Sequence, residues 1–230
     1  MNEKFAALVP MKGHSERVKN KNLRRFGDKP LMCHILDALH ESGYLSKIYI
    51  DTDSDEIAQT AAKRYSKIEI IKRPARLCGD MVSMNDILKY DISEIGADYY
   101  IQSHATNPLL RTSTIDKACE KYLEGLGQYD SLFTVNKIQT RFYDRMARPV
   151  NHDPDHLIRT QDLEPWYEEN SNLYIFSKDS FLARNARIGE RPQMFIMDSL
   201  ESVDIDEESD FVLAEAIYKS GVLEHLEERI

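Results

Sequence analysis

Short apolar runs alternate along the chain with stretches whose apolar residues recur at helical spacing, and this alternation is typical of an α/β fold. The apolar runs predict strands at residues 5–9, 47–50, 69–71, 98–102, 131–135 and 173–176. The periodic stretches predict helices that begin at Pro30, Asp55, Met84, Thr112 and Asp210. We therefore expect one α/β domain spanning residues 1–230.

Two of the predicted helices carry recognisable start signals. Pro30 precedes the apolar positions of the first helix, where its fixed φ suits the first turn. Ser54 is placed to cap the second helix, over residues 55–65. The last predicted helix covers residues 210–219, with four apolar positions expected to face the core: Phe211, Leu213, Ala214 and Ile217.

Hydrophobic periodicity is lost between residues 136 and 172. Prolines, histidines and aromatic residues are interspersed there with four arginines, Arg141, Arg145, Arg148 and Arg159. A segment of this length without regular structure is usually functional or packs against a partner. We therefore interpret residues 136–172 as an irregular insert in the domain.

Composition changes this picture little, but charge constrains the ligands. The formal net charge of −9 over 230 residues argues against a nucleic-acid-binding surface, so an anionic ligand must be held by local cations. The sequence contains no apolar run as long as a membrane span, and its start does not resemble a signal peptide. Three widely spaced cysteines, Cys33, Cys78 and Cys119, indicate buried or inert reduced thiols. These features predict a cytoplasmic protein.

The densest group of cations follows the first predicted strand. It comprises Lys12, Arg17, Lys19, Lys21, Arg24 and Arg25. Gly13 permits close backbone approach, and a loop of this kind suits a polyphosphate because cations and exposed amides neutralise phosphate charge. A solvated basic loop is the alternative interpretation. The loop has neither the GKS/T ending of a Walker A motif nor a GxGxxG pattern, which disfavours P-loop ATPases and dinucleotide dehydrogenases.

A pair of carboxylates near the other end of the chain forms a second candidate site. Asp204 and Asp206 point to the same side if their segment is extended, because side chains of a strand alternate with period two. Magnesium prefers one or two carboxylates together with phosphate oxygens of a substrate. The alternative is an acid-rich helix N-terminus, since acidic residues also follow at positions 207, 208 and 210.

Polar loops follow three of the predicted strands, at residues 10–22, 51–54 and 102–111. Ligands of open α/β sheets bind beyond the carboxyl ends of the strands, so these loops are expected to converge on one site. Arg73, Asp80 and Ser83 form a weaker cluster that suits a base and a ribose, or simply a loop and a helix cap. Lone loop histidines such as His14 and His104 are more often structural or solvated than ligands.

Six ordered segments together resemble the acylneuraminate cytidylyltransferase family, whose members activate sialic and related nonulosonic acids as CMP sugars and whose relatives act on Kdo. The family motifs are P-A-R-x-G-S-K-R-x-P-x-K-N, S-T-D-S, R-P-x-x-L-x-x-D-x-x-S, L-Q-P-T-S-P-L-R, R-x-Q followed by N-G-A-I-Y, and D-I-D. The similar segments are, in the same order, residues 10–22, 51–54, 73–83, 102–111, 159–161 with 170–174, and 204–206.

This resemblance implies a three-layer α/β/α sandwich with a mostly parallel, mixed sheet, which is the Rossmann-like nucleotidyltransferase fold. It implies that CTP is bound by Lys12, Gly13, Ser15, Arg17, Lys21, Asn22, Arg73, Asp80 and Ser83. It implies acceptor binding by Gln102, Arg159 and Gln161, Mg²⁺ binding by Asp204 and Asp206, and catalytic roles for Lys21, Arg17 and Asp206. Residues 136–172 are then expected to pack across a homodimer and to contribute to the acceptor site.

Several positions depart from the family pattern. Lys12 stands where arginine is usual, which keeps the charge but loses bidentate geometry. His14, Glu16 and Lys19 also differ within the phosphate loop, and residues 171–172 are Ser-Asn in place of Gly-Ala. Most departures outside the phosphate loop lie on the sugar side, so the motifs indicate CTP more strongly than they indicate sialic acid.

The expected reaction is attack of an acceptor hydroxyl on the α-phosphorus of CTP, which releases pyrophosphate and activates an acidic sugar for cell-surface polysaccharide biosynthesis. A Kdo-like or phosphonate acceptor is an alternative within the same chemistry. A sugar-1-phosphate nucleotidyltransferase is disfavoured because its G-x-G-T-R-M loop is absent. A non-catalytic nucleotide-binding homologue is the remaining alternative, and it predicts CTP binding without pyrophosphate release.

Overall fold

A computed structural model describes residues 5–15, 17–79 and 81–227 of the chain. Its strands are β1 (Phe5–Leu8), β2 (Arg25–Phe26), β3 (Lys29–Pro30), β4 (Leu45–Thr52), β5 (Ile68–Lys72), β6 (Tyr99–Ser103), β7 (Ser131–Ile138), β8 (Trp166–Ser177) and β9 (Pro192–Ile196). Its helices are α1 (Leu31–Glu41), α2 (Asp55–Arg64), α3 (Met84–Glu94), α4 (Thr112–Glu124), α5 (Lys178–Arg184), α6 (Glu208–Ser220) and α7 (Val222–Glu227).

Seven of the strands form one sheet in the order β5-β4-β1-β6-β8-β7-β9. β8 pairs antiparallel with both of its neighbours, whereas every other pair in this sheet is parallel. β2 and β3 form a separate small hairpin. The mostly parallel, mixed sheet that the family resemblance implies is therefore confirmed.

Helices cover both faces of the large sheet. The central strand β1 contributes to a core on each face. Phe5 and Ala7 pack in one core with α1, α2 and α4, and Ala6 and Leu8 pack in a second core with α3 and α5. Successive side chains of a strand point to opposite faces, so a central strand supplies both cores. The three-layer α/β/α sandwich is confirmed.

The two predicted helix starts are also confirmed. α1 begins directly after Pro30, and the Ser54 hydroxyl accepts a hydrogen bond from the Ile57 N–H at 3.3 Å. The prediction for the last helix is wrong at Leu213, which is 55% exposed, whereas Phe211 and Ala214 are buried. Residues three apart share a helix face, but residues two apart lie on nearly opposite sides.

The segment predicted to be irregular is shorter than residues 136–172. β7 continues to Ile138 and β8 begins at Trp166, and these strand ends pair antiparallel. Charged side chains such as Lys137 and Glu168 interrupt the apolar pattern there, which is why periodicity did not reveal the strands. The stretch without a strand is residues 139–165, which connects two neighbouring strands.

Other features of the fold lay outside the sequence predictions. The hairpin of β2 and β3, helix α5 and strand β9 are short or weakly apolar, so no strong pattern marks them. The prediction of buried or inert cysteines is confirmed at Cys33 and Cys119, where burial raises the thiol pKa, but Cys78 is exposed. Within the described residues, no helix has both the length and the apolar character that crossing a membrane requires.

Candidate active site

A cavity of about 350 Å³ opens where the loops after β1 and β6 meet. After β1, the chain adds β4 and β5 on one side of β1 and then crosses over to add β6 on the other side. The order of the strands therefore reverses between β1 and β6. Such a switch point is where ligands of open α/β sheets bind. Five residues predicted to hold the nucleotide line the cavity, namely Lys12, Ser15, Arg17, Lys21 and Asn22. His14 and His104 line it as well.

Hydrogen bonds hold the loop after β1 against the residues that follow β4. The Gly13 N–H donates to the Asp53 carboxylate at 2.7 Å, and the Asn22 side-chain amide donates to the Lys12 carbonyl at 2.9 Å. A Cβ on Gly13 would lie 2.8 Å from the Cβ of Ser54, closer than such atoms approach. The glycine is therefore required by a contact within the protein, and not only by the ligand approach that the sequence suggested.

Two cations of this loop reach the segment that carries the predicted metal ligands. The Arg17 guanidinium donates to Asp206 Oδ1 at 2.7 Å. Lys21 Nζ donates to the Ile205 carbonyl at 2.6 Å and lies 3.9 Å from Asp206 Oδ1. Burial lowers the pKa of Lys21, while the Asp206 and Asp204 carboxylates act in the opposite direction. The phosphate loop and the acidic segment thus form one site, although they are more than 180 residues apart.

The residue between Asp204 and Asp206 is buried and fixes the position of this segment. Ile205 is fully buried in a small core with Phe211, and its N–H donates to the Thr106 carbonyl at 2.9 Å. Asp204 Oδ1 is buried and has no hydrogen-bond partner among the described residues, and burial raises the pKa of this carboxyl. An unsatisfied buried carboxylate oxygen is costly in a protein interior, so this atom fits a hard cation.

The residues after Asp206 form an acid-rich helix N-terminus, which was the alternative interpretation of this segment. Glu207 and Asp210 form a capping box at the start of α6. Asp206 precedes the helix, and its backbone N–H donates to Asp210 Oδ2 at 3.0 Å. Within the described residues, no group of three or more metal-ligating side chains is present. A cation at Asp204 and Asp206 would therefore take its further ligands from groups other than these side chains, such as water or phosphate oxygens of a substrate.

His104 lines the cavity and also contacts a polar cluster formed by Gln102, Tyr174 and Arg187. Its Nε2 lies 3.0 Å from the Gln102 amide nitrogen and 3.4 Å from a guanidinium nitrogen of Arg187. Both of these neighbours are donors, so Nε2 accepts and the ring proton is assigned to Nδ1. Burial, with the nearby charges of Arg187 and Lys21, lowers the pKa of His104 to about 3. His104 is therefore neutral at physiological pH.

The family model described as Cytidylyltransferase matches residues 6–228. The chain belongs to the cytidylyltransferase family. This confirms the family resemblance, and with it a nucleotidyltransferase enzyme.

Curated relatives agree with this assignment. The post-translational flagellin modification protein B of Campylobacter coli is 29% identical over 224 residues, which are 93% of this chain and 94% of that protein. The pseudaminic acid cytidylyltransferase of Campylobacter jejuni is 26% identical over 94% of this chain and 97% of its own length. The N-acylneuraminate cytidylyltransferase of Escherichia coli O18:K1:H7 is 26% identical, and this chain spans about half of it, 52%.

Solved structures show the same fold. The CMP:2-keto-3-deoxy-manno-octonic acid synthetase complexed with CTP superposes with a TM-score of 0.70 at 13% identity and covers 95% of this chain and 99% of its own. The 4-diphosphocytidyl-2C-methyl-D-erythritol synthase of Anaerococcus prevotii has a TM-score of 0.66 at 9% identity, with 95% and 100% covered. At such identities the similarity concerns the fold alone.

Not every residue that the sequence nominated reaches the cavity of this cytidylyltransferase. Arg73 is buried, and its guanidinium bonds the Asp51 carboxylate and, at 3.1 Å, the Asp51 carbonyl. Ser83 caps α3 by accepting from the Asp86 N–H at 3.2 Å. Asp80 and Glu16 lie outside the described residues.

The predicted acceptor residues are divided in the same way. Gln102 is fully buried and does not itself line the cavity, but its amide nitrogen lies 3.0 Å from Nε2 of His104, which does. Arg159 is exposed and pairs with both carboxylate oxygens of Asp162, at 2.7 and 3.0 Å. The Gln161 carbonyl accepts from the Gln139 amide at 2.9 Å. Within the described residues, neither Arg159 nor Gln161 lines the cavity.

Two residues of the polar cluster, Arg187 and Tyr174, were not predicted from the sequence to be site residues. Arg187 follows α5 in a connection that has no periodicity and no motif, so nothing local marked it. Tyr174 lay within the N-G-A-I-Y resemblance but was assigned to the core. Its hydroxyl accepts from Arg187 at 2.9 Å, so this side chain belongs to both regions.

Proposed function

We propose that this cytidylyltransferase transfers CMP from CTP to a hydroxyl of an acidic sugar of the nonulosonic class, with release of pyrophosphate. The observation that carries the proposal is the contact of Lys21 and Arg17 with the 204–206 segment at the sheet switch point. The names of relatives that act on N-acylneuraminate and pseudaminic acid support the acceptor class. In this proposal the chain is a cytoplasmic enzyme of cell-surface polysaccharide biosynthesis.

The phosphate loop supplies the charge that the reaction needs. The acceptor oxygen forms a bond to the α-phosphorus while the bond from this phosphorus to the bridging oxygen of pyrophosphate breaks. Lys21, Arg17 and Lys12 stabilise the negative charge that develops on the leaving group, and Ser15 and Asn22 orient the phosphates. Fixed cations and orientation supply most of the rate increase, because phosphoryl transfer needs little covalent help.

Asp204 and Asp206 are the residues that would hold a magnesium ion. Their carboxylates are hard oxygen donors, and the unpartnered Oδ1 of Asp204 supports a cation at this place. When bound, the ion would neutralise phosphate charge and act as a Lewis acid. Arg17 already pairs with Asp206, so a cation and a nucleotide would have to compete with that contact.

We also propose that the enzyme is a homodimer that uses the 139–165 stretch as part of its interface. This stretch and its borders expose several large apolar side chains, namely Met146, Val150, Leu157, Ile158 and Trp166. Large exposed apolar side chains concentrated in one stretch support an interaction site there. Light scattering on the purified protein tests the proposal, and a monomeric mass at micromolar concentration contradicts it.

The decisive experiment for the function measures pyrophosphate release from CTP and magnesium with a panel of acceptors. The panel contains N-acetylneuraminate, legionaminate, pseudaminate, Kdo and a simple phosphonate. Release with one of the sugar acids supports the proposal and names the acceptor. Release with the phosphonate alone corrects the acceptor class. A melting-temperature shift with CTP but no release indicates a nucleotide-binding homologue without this activity, and no response to CTP contradicts the proposal entirely.

A further inference from the structure

Arg187 is held rigidly in the connection between α5 and β9. Its backbone N–H donates to the Asn85 side chain in α3 at 3.3 Å. Its guanidinium carbon lies 3.6 Å from the centre of the Tyr174 ring, and 19% of the side chain is exposed. A stacked and mostly enclosed guanidinium has a fixed orientation, so its free donors point in a defined direction.

The charge of this guanidinium is poorly balanced. Its hydrogen-bond partners are the neutral groups of Gln102 at 2.7 Å, Tyr174 at 2.9 Å and His104 at 3.4 Å. Among the described residues, the carboxylate within 4 Å is that of Glu169, 3.6 Å away and 43% exposed. Buried charges in proteins are normally paired closely, and burial here lowers the pKa of Arg187. An anion bound beside this group would complete the pairing.

Two donors of the guanidinium are not used by described residues. Arginine has five N–H donors, and the neutral partners occupy both donors of Nη1 and one of Nη2. The Nε–H and the second Nη2–H make no hydrogen bond to a described residue. Nε and Nη2 share one edge of the guanidinium, and the spacing of the donors on such an edge matches the two oxygens of a carboxylate.

This open cation lies next to the proposed reaction centre. His104 lines the nucleotide cavity and contacts Arg187 through Nε2. Lys21 lines the same cavity as His104, and the charges of Lys21 and Arg187 both lower the pKa of this ring, so both cations lie near it. An acceptor bound at Arg187 would lie near the phosphates of CTP.

We propose that Arg187 binds the carboxylate of the acceptor through its Nε and Nη2 donors, and thereby selects acidic over neutral acceptors. This proposal rests on the function proposed above. Arg159, the cation that the sequence nominated, is exposed and already neutralised by Asp162. Arg187 replaces it as the acceptor-binding arginine in our account.

The test compares an acidic acceptor with its uncharged methyl ester in the wild type and in Arg187→Met. The acceptor is whichever sugar acid of the panel gives the fastest pyrophosphate release. In the wild type we expect kcat/KM to favour the acid over the ester by about 30-fold or more, the size typical of a buried charge pair. In Arg187→Met we expect this preference to fall to about threefold or less, with the KM for CTP changed by less than about threefold.

A purely structural role would give a different result. Loss of packing in Arg187→Met would lower activity with the acid and the ester equally, so the preference would persist and the proposal would be overturned. Arg187→Lys keeps the charge and separates the two roles if the methionine variant does not fold, since a retained preference above about tenfold is expected. Arg184→Met is the matched control, because Arg184 is in the same region and, among the described residues, its guanidinium donates to the Gly189 carbonyl, at 2.7 Å, and to no group of the proposed acceptor site.

Failure of the underlying function is recognisable separately. If the wild type releases no pyrophosphate with any sugar acid of the panel, the proposed function fails and this inference fails with it. If the wild type is active but Arg159→Met, not Arg187→Met, abolishes the preference for the acid, only the assignment of Arg187 is wrong.

Discussion

The proposed phosphate side and the proposed acceptor side of the site, called the phosphate side and the acceptor side below, are built in different ways. On the phosphate side, the important groups come from two short segments, residues 12–22 and 204–206, whose side chains meet directly. On the acceptor side, Gln102, Tyr174 and Arg187 come from separate elements that meet only in the folded sheet. Chemistry concentrated in a short segment is recognisable in a sequence, whereas a site assembled from single residues is not.

The largest effect is expected at the centre of the phosphate side. Lys21→Met removes a cation whose side chain is only 13% exposed and which donates to the Ile205 carbonyl between the two aspartates. We expect kcat/KM for CTP to fall by about 10³-fold, the scale on which fixed electrostatic groups contribute. Pyrophosphate release measures it. Lys19→Met in the same loop is exposed and serves as the control, and an equal loss in both variants would contradict a specific role for Lys21.

The second test concerns the acidic segment and has two readouts. Asp204→Asn keeps the shape of the side chain but removes a buried charge whose Oδ1 has no partner in the described structure. We expect activity to fall by about 10²-fold, while the melting temperature stays the same or rises. The magnesium-induced shift in the melting temperature of the CTP-bound protein should disappear. A variant that keeps this shift would show that Asp204 does not bind the ion.

A smaller effect is expected where the phosphate loop contacts α2. Gly13→Ala places a Cβ 2.8 Å from that of Ser54, so we expect destabilisation of about 1–3 kcal/mol and a higher KM for CTP. Urea unfolding measures the change. Adding Ser54→Gly removes the opposing Cβ, so the double variant should recover part of the KM increase. Simple additivity of the two changes would contradict a direct contact.

The smallest effect concerns a buried acid that is not among the residues lining the cavity. Burial and the neighbouring Asp51 raise the pKa of Asp91 to about 9. The folded protein then holds a proton that the unfolded chain releases above about pH 4, so this group's contribution to stability is lost as pH rises from about 4 to about 9. Asp91→Asn stays neutral, and denaturant unfolding at several pH values should show a flatter dependence. An unchanged slope would mean that Asp91 titrates normally.

Sequence reasoning succeeded where one local signal determined one local structure. The Ser54 cap is an example, because it depends on residues within four positions of one another. The loop after β1 was predicted to reach a site at the ends of the strands, and three of the six cations named in it, Lys12, Arg17 and Lys21, line the cavity there.

It failed where tertiary contacts decide the role of a residue. Arg73 matched a family motif, yet its guanidinium is buried against Asp51. Gly13 is constrained by Ser54, which is forty-one residues away in sequence but adjacent in the fold. Arg187 carries no local signal at all, since its importance comes from the neutral partners that surround its charge. The roles of these residues depend on their burial and on their contact partners, and neither can be read from the spacing of residues in the sequence.

The central claim is that the two sides of the site act together in one transfer of CMP. The most direct measurement is the amount of pyrophosphate and of CMP-linked sugar formed from CTP, magnesium and the panel acids, with the sugar nucleotide identified by mass spectrometry. We predict equal amounts of both products with at least one sugar acid. Pyrophosphate without a CMP-linked sugar, or bound CTP that is never turned over, would contradict the account.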